Sequence, residues 1–415
     1  MTRIETLAIC AAAPDEALSD ETRSEPTTVA TVEQHPAADV ASTYNALPVE
    51  TTTDGAAPFS REQLSELDQE DIGERARPVD CDAEYKTIMI TGGAGFILFT
   101  QVLQGDVTSS DFIRFLLEHL KVEAILHFAA QTHVDNSFGD SFEFTKNNVM
   151  GTHVLLEAAK EHGIKRFVHV STDEVYGEVP HDEVGSNGSA AECAPVLIGY
   201  EQPACREETI LAPSNPYSAT KAAAECLVKA YHKSFGLPTI ITRSNNVYGP
   251  YQYPEKACSK FICQLLRGQP CTIHGDGSNS RRYLYAADVA DAIDVIFHRG
   301  EIGEIYNIGS QCEITNLGLA QGLIRRFAQD RNADVDAALA KNIVFVRDRA
   351  LNDCRYAVNC SKLLTLGWRQ RVDFETGIRK TIDWYCQFGE GWWGDIGDAL
   401  IPHPGKRLPA PPGGW

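Results

Sequence analysis

The chain has 415 residues, 43% of them hydrophobic and 23% charged, with 37 basic against 57 acidic side chains and a net charge of −20. That sign excludes a nucleic-acid binder that works by electrostatic attraction, and no apolar run approaches the ~20 residues needed to span a bilayer. The length is enough for two or three domains. Residues 1–80 carry 17 Asp or Glu against five Arg and no Lys, more than half of the whole excess. This stretch, to about residue 84, is rich in Ala, Thr, Pro and acids, and is expected to be a disordered acidic tail, because it cannot bury enough apolar surface to offset its ordering entropy. Within it, Leu7 to Ala13 is short, follows Glu5 and precedes Pro14-Asp15-Glu16, a poor secretion signal; a cytoplasmic location is expected. The 12 cysteines include no CxxC pair and read as reduced thiols, with no metal site.

At Lys86 the texture changes to Thr87-Ile88-Met89-Ile90-Thr91, a short buried-type strand that runs into Gly92-Gly93-Ala94-Gly95. Segments 124–128, 167–171 and 239–242 are strand-like, whereas 151–162 and 217–235 are helix-like. The alternation predicts an α/β fold, a Rossmann-like doubly wound parallel sheet. The expected organisation is a dinucleotide-binding domain over 85–250 with an inserted loop at 182–206. A smaller substrate-binding lobe follows over 251–395, with segments returning to the first domain, and 396–415 is an irregular tail.

Glycines after a strand let backbone amides approach a pyrophosphate at a helix N-terminus. Gly92 and Gly95 fit, but the third glycine of the extended pattern GxxGxxG is replaced by Leu98. Nine residues separate Thr91 from Gln101, fewer than the ~10–12 of a parallel crossover with its helix, and 101–107 already reads as the next strand and its exit. The first βαβ unit is therefore expected to be incomplete, lacking its crossover helix, its second strand and the acid that holds an adenosine ribose.

Tyr217 and Lys221 are four apart, on one helix face, where an ammonium can lower the phenol's pKa and make it a usable base. They follow a strand ending Val168-His169-Val170-Ser171-Thr172, whose last hydroxyl faces the crevice in which such sheets bind ligands. Asp173 and Glu174 come next. Alcohol oxidation alone does not need an added acid and base; elimination does.

The runs Thr91-Gly-Gly-Ala-Gly-Phe96, His127-Phe-Ala-Ala-Gln-Thr-His-Val-Asp135, Val170-Ser-Thr-Asp-Glu-Val-Tyr-Gly177, Asn215-Pro-Tyr-Ser-Ala-Thr-Lys221, Ser244-Asn-Asn-Val-Tyr-Gly-Pro250 and Tyr253-Pro-Glu-Lys256 resemble the nucleotide-sugar 4,6-dehydratases of the extended short-chain dehydrogenase/reductase family, nearest the dTDP-glucose type. The resemblance implies a lyase that removes water from a nucleoside-diphosphate-glucose through transient reduction of NAD. By position, Tyr217 would take the proton of the carbon 4 hydroxyl while NAD takes the hydride, with Lys221 lowering the phenol's pKa and Thr172 hydrogen-bonding the reacting oxygen; Glu174 would be the base at carbon 5 and Asp173 the acid at carbon 6. It further implies a cofactor shell of Gly92, Gly95, Phe96, Ile97, Asp106, Val107, Phe128, Ala129, Ala130, Thr132, Asn147, Tyr217 and Lys221. Substrate contacts would come from Thr132, His133, Asn246, Lys256, Arg281, Asn307, Arg349 and Asn352. A homodimer paired through 145–161 and 217–235 is also implied. Three alternatives stay open: an inactive or internally truncated relative that only binds, a UDP-glucose 4,6-dehydratase, and a 4-epimerase of the same fold.

Overall fold

The computed structural model describes residues 5–10, 85–92, 102–179, 204–349 and 351–401, all within one compact unit. Its strands are β1 (Glu5–Cys10), β2 (Thr87–Thr91), β3 (Val102–Gln104), β4 (Ala124–His127), β5 (Arg166–Thr172), β6 (Thr239–Ser244), β7 (Asn246–Tyr248), β8 (Cys271–His274), β9 (Ser280–Tyr285), β10 (Ile305–Ile308), β11 (Glu313–Thr315) and β12 (Ile343–Val346). Seven form one sheet in the order β10-β6-β5-β4-β2-β1-β3, every pair parallel. The expected Rossmann-like architecture is present.

Parallel strands covered on both faces read as continuous apolar runs, and Ala124-Ile-Leu-His127 is buried throughout. Because successive side chains point to opposite faces, neighbours in one strand enter different cores. Met89, Ile125 and Phe167 pack with Ile113 and Leu117 of α1 (Ser110–Leu120), Leu155 of α2 (Gly151–Glu161) and Val228 of α3 (Pro216–Phe235). Ile90, Leu126 and Val168 pack on the other side with Val289, Ile293 and Ile296 of the helix Ala286–Arg299.

One expectation is overturned at the start of the chain. Glu5–Cys10, assigned above to a disordered tail, is an interior strand. It pairs with β2 from Glu5↔Thr87 to Ile9↔Thr91 and with β3 from Ala8↔Val102 to Cys10↔Gln104. Reading β3-β1-β2-β4-β5-β6 reproduces the dinucleotide-fold order 3-2-1-4-5-6, so a segment distant in sequence takes the seat of the second strand expected to be missing. The physical reason is that β2 and β3 leave unpaired backbone groups facing each other, which an extended segment satisfies through its main chain alone. Tail composition, averaged over eighty residues, hides six residues of strand. The remainder of 1–84, the glycine-loop crossover at 93–101, most of the insert at 182–206 and the tail beyond 401 lie outside the described residues.

After β6 the chain adds a three-stranded sheet β11-β9-β7 and a two-stranded sheet β12-β8, with helices Ala257–Leu266, Asn316–Asp330 and Phe374–Trp393. β10 returns to the large sheet beside β6. Among the described residues, no helix is long and apolar enough to cross a membrane.

Candidate active site

β5 ends at Thr172 and passes directly into a single 3-10 turn, Asp173–Tyr176. The backbone N–H of Glu174 donates to the Thr172 hydroxyl at 3.4 Å. The turn closes at Gly177, where φ is +78° and a Cβ would stand 2.3 Å from the carbonyl oxygen of Ala212; only glycine has both the backbone freedom and the space. α3 starts with Pro216 behind the N-cap Asn215, whose side chain accepts from the backbone N–H of Ser218 at 2.9 Å. The cap sets the first turn so that Tyr217 and Lys221 both face the sheet and are buried.

Thr172, Asp173, Glu174, Tyr217 and Lys221 line one cleft of about 310 Å³ at the C-terminal ends of β5 and β6. Asp173 is 3% exposed. Burial, with the adjacent Glu174 next in importance, raises its pKa to about 7, against the hydrogen bonds it receives from Asn245 Nδ2 at 2.6 Å and Thr172 Oγ1 at 3.3 Å. Glu174 accepts from Asn215 Nδ2 at 3.1 Å, so the helix cap also orients this carboxyl. Lys221 donates to the Val170 carbonyl at 2.7 Å; burial brings it down to about 8, opposed by Glu225. The Tyr217 phenol departs from expectation. Burial, and then Glu174, push its pKa well up, with only a hydrogen bond from Thr172 pulling the other way. Lys221 places one of its three ammonium donors on the Val170 carbonyl, and at the phenol burial is the dominant influence.

The second lobe supplies the outer wall. Arg281 lies with its guanidinium 4.6 Å over the ring of Tyr356. Arg349 pairs with Asp135 at 2.6 Å, and Lys256 donates to the Thr132 carbonyl at 2.5 Å. Asn352 donates to Asp348 at 2.9 Å. Phe128, Ala130, His133 and Asn246 also face this space. Lys256, Lys260, Arg281 and Arg349 line the cleft together with the carboxyls of Asp135, Glu255 and Asp353, and guanidinium and ammonium groups of this kind suit an anionic part of a ligand.

A model of the NAD dependent epimerase/dehydratase family matches residues 75–309. The chain belongs to this family. It is 50% identical over 313 residues to the trifunctional UDP-glucose 4,6-dehydratase/UDP-4-keto-6-deoxy-D-glucose 3,5-epimerase/UDP-4-keto-L-rhamnose-reductase of Arabidopsis thaliana, covering 75% of this chain and 43% of that protein. It thus spans less than half the length of such plant relatives. It is 42% identical over 302 residues to the dTDP-D-glucose 4,6-dehydratase of Homo sapiens, covering 73% of this chain and 79% of that one. Among solved structures, the dTDP-glucose 4,6-dehydratase of Streptomyces venezuelae with NAD and TYD bound superposes with a TM-score of 0.62 at 32% identity, over 80% of this chain and 94% of that one.

Not every residue expected from family motifs reaches the cleft of this family member. Asn307 is fully buried, accepting from the Tyr176 hydroxyl and donating to the carbonyls of Cys205 and Asn359, and it does not line the cleft. Asn147, in the π-helical turn Thr145–Met150, donates to the carbonyl and carboxyl of Glu143 four residues before it. Val107 and Ala129 are in the hydrophobic core. Asp106 accepts from the backbone and hydroxyl of Thr108, closing the turn before α1. Gly95, Phe96 and Ile97 lie outside the described residues. Conversely, Asn245 and Asn215, which hold the two acids, went unassigned although both stand in quoted motifs. The Asn-Pro pair ahead of an amphipathic run is a helix-start signal, and it would have found Asn215.

Proposed function

We propose that this chain is a nucleoside-diphosphate-glucose 4,6-dehydratase that uses NAD and releases a 4-keto-6-deoxy sugar nucleotide. The observation that carries the reading is Asp173, a carboxyl kept protonated to about 7, beside Glu174 in the cleft that holds Tyr217 and Lys221. Paired carboxyls with separated roles are what elimination of water needs. A 4-epimerase has no use for them.

The described residues fit a nicotinamide dinucleotide. Gly92 ends β2 with φ +72°, and a Cβ there would lie 2.8 Å from the backbone nitrogen of Ala129; the 128–130 segment closes on the glycine, leaving Phe128 and Ala130 facing the cleft. β1 completes the sheet on the adenosine side, which favours a working cofactor half over a truncated one. When bound, NAD would supply a reversible hydride acceptor, and its positive ring would favour the phenolate that burial disfavours. The protein's own groups do the rest. Tyr217 takes the proton of the carbon 4 hydroxyl, and Thr172 holds that oxygen. Glu174 removes the carbon 5 proton, acidified by the new ketone. Asp173 protonates the departing carbon 6 hydroxyl, which leaves as water, and Glu174 hands its proton back to carbon 5 as carbon 6 regains the hydride, giving the 4-keto-6-deoxy sugar.

Relatives acting on dTDP- and on UDP-glucose both match, so the assay is the purified chain with NAD and each sugar nucleotide in turn, read for 4-keto-6-deoxy product. Absence of product from both refutes the reading. We propose also a homodimer through α2 and α3, supported by exposed Phe142, Met150 and Phe235 on and beside these helices; light scattering tests it. Nine free cysteines among the described residues support a reducing, cytoplasmic setting.

A further inference from the structure

One guanidinium joins the two segments that carry the acid, base and phenol. Arg243, on β6, is 1% exposed. Its Nε and Nη2 donate to Oε1 and Oε2 of Glu225 at 2.9 and 2.6 Å, a bidentate pair one turn beyond Lys221 on α3. Its Nη1 donates to the Tyr176 hydroxyl at 2.6 Å and to the Glu207 carbonyl at 3.1 Å, with the guanidinium carbon 4.6 Å from the centre of the Tyr176 ring. Tyr176 is the last residue of the turn that begins at Asp173. Its hydroxyl passes the chain of bonds on to Asn307 at 2.8 Å, which is fixed in turn by the Glu207 carboxyl accepting from its backbone N–H at 3.0 Å.

None of Arg243, Glu225, Tyr176 or Asn307 lines the cleft. Burying a charge pair costs desolvation that well-packed apolar side chains avoid, so packing alone does not account for a guanidinium here. What the planar fork provides is direction: two parallel bonds fix Glu225, and the remaining nitrogen fixes Tyr176.

We propose that Arg243 is a positioning residue, which by gripping Glu225 and Tyr176 together sets where the Asp173–Glu174 turn stands relative to Tyr217 and Lys221. The naming of those groups as acid, base and phenol rests on the proposed dehydratase reading; the mechanical coupling does not.

The test uses the full chain and its R243K variant, which keeps the charge and loses the fork, with Y176F as a second variant that removes a single hydroxyl. Carboxyl-carbon NMR follows Asp173, assigned by its loss in D173N, and Asp288, another carboxyl whose pKa burial raises and which is held by the backbone N–H groups of Arg371 and Val372 instead. Release of the turn admits water to Asp173 and lowers its midpoint from near 7 by about one pH unit in R243K, and by less in Y176F, while Asp288 does not move. An unmoved Asp173 in a folded variant overturns the proposal, as does a shift shared equally by Asp288, which marks general loosening. Turnover is read in parallel: kcat in R243K falls about 10- to 100-fold with KM within about twofold, and reduced cofactor accumulates as oxidation outruns elimination. If the unaltered chain makes no product, the dehydratase reading falls, and the carboxyl titration still decides the role of Arg243.

Discussion

Replacing Asp173 with Asn should stabilise the protein in alkaline but not in acidic solution. In the unfolded chain this carboxyl gives up its proton near 3.8, whereas burial and Glu174 keep it protonated to about 7 when folded. Across that window the folded state binds the extra proton. The stability this proton confers is therefore present at low pH and is lost as pH rises through the folded-state value. With those two pKa values, linkage gives the unaltered chain a loss on the order of 2.5 kcal/mol between pH 5 and pH 8 through this one group. An amide does not titrate, and its oxygen can still accept from Asn245, so D173N escapes the loss. Urea unfolding of both proteins at pH 5 and pH 8 measures it, because taking the difference between them at each pH cancels the titrating groups that do not interact with Asp173. The gap should shift towards the variant by roughly 2 to 3 kcal/mol on going to pH 8. A gap that is the same at both pH values would falsify the claim that Asp173 is held protonated by its surroundings.

Turnover should fall above about pH 7, as Asp173 loses the proton it must donate, and a rate flat from pH 6 to 8 would remove it from the acid role. Tyr217→Phe should lower kcat/KM by on the order of 10²–10⁴ while leaving the melting temperature and retained NAD unchanged; activity close to normal would dismiss the phenol as base. Leu7→Pro removes one backbone donor from the middle of an interior strand, costing about 1–3 kcal/mol and loosening NAD. A variant with the stability and cofactor content of the parent would show that Glu5–Cys10 contributes nothing to the sheet.

Local pattern made much of this protein legible. β2 was readable from five apolar or β-branched residues ending in glycine, and Tyr217 with Lys221 from a spacing of four on a capped helix, because these depend on neighbours in sequence. The two acids were readable because they directly follow a strand end. β1 was not, since its partners lie about eighty positions away and parallel register leaves no mark on nearby residues. Asn307 was misassigned for a related reason: the order of motifs along a chain says that a position is equivalent, not which way its side chain turns, and here Tyr176 and two carbonyls claim it. The direction of the Tyr217 shift likewise depends on Glu174 and on depth, neither of which spacing encodes.

The seating of Glu5–Cys10 has a consequence for how the molecule is made. These residues leave the ribosome well before either neighbour, and at about 5–20 residues per second they wait for seconds with nothing to pair with. β3, whose only ladder among the described residues is to β1, arrives with the same need. Closure of the sheet is thus a long-range event, slow by its contact order, and a nascent chain halted before residue 104 holds a hydrogen-bonding edge open to whatever extended peptide reaches it first.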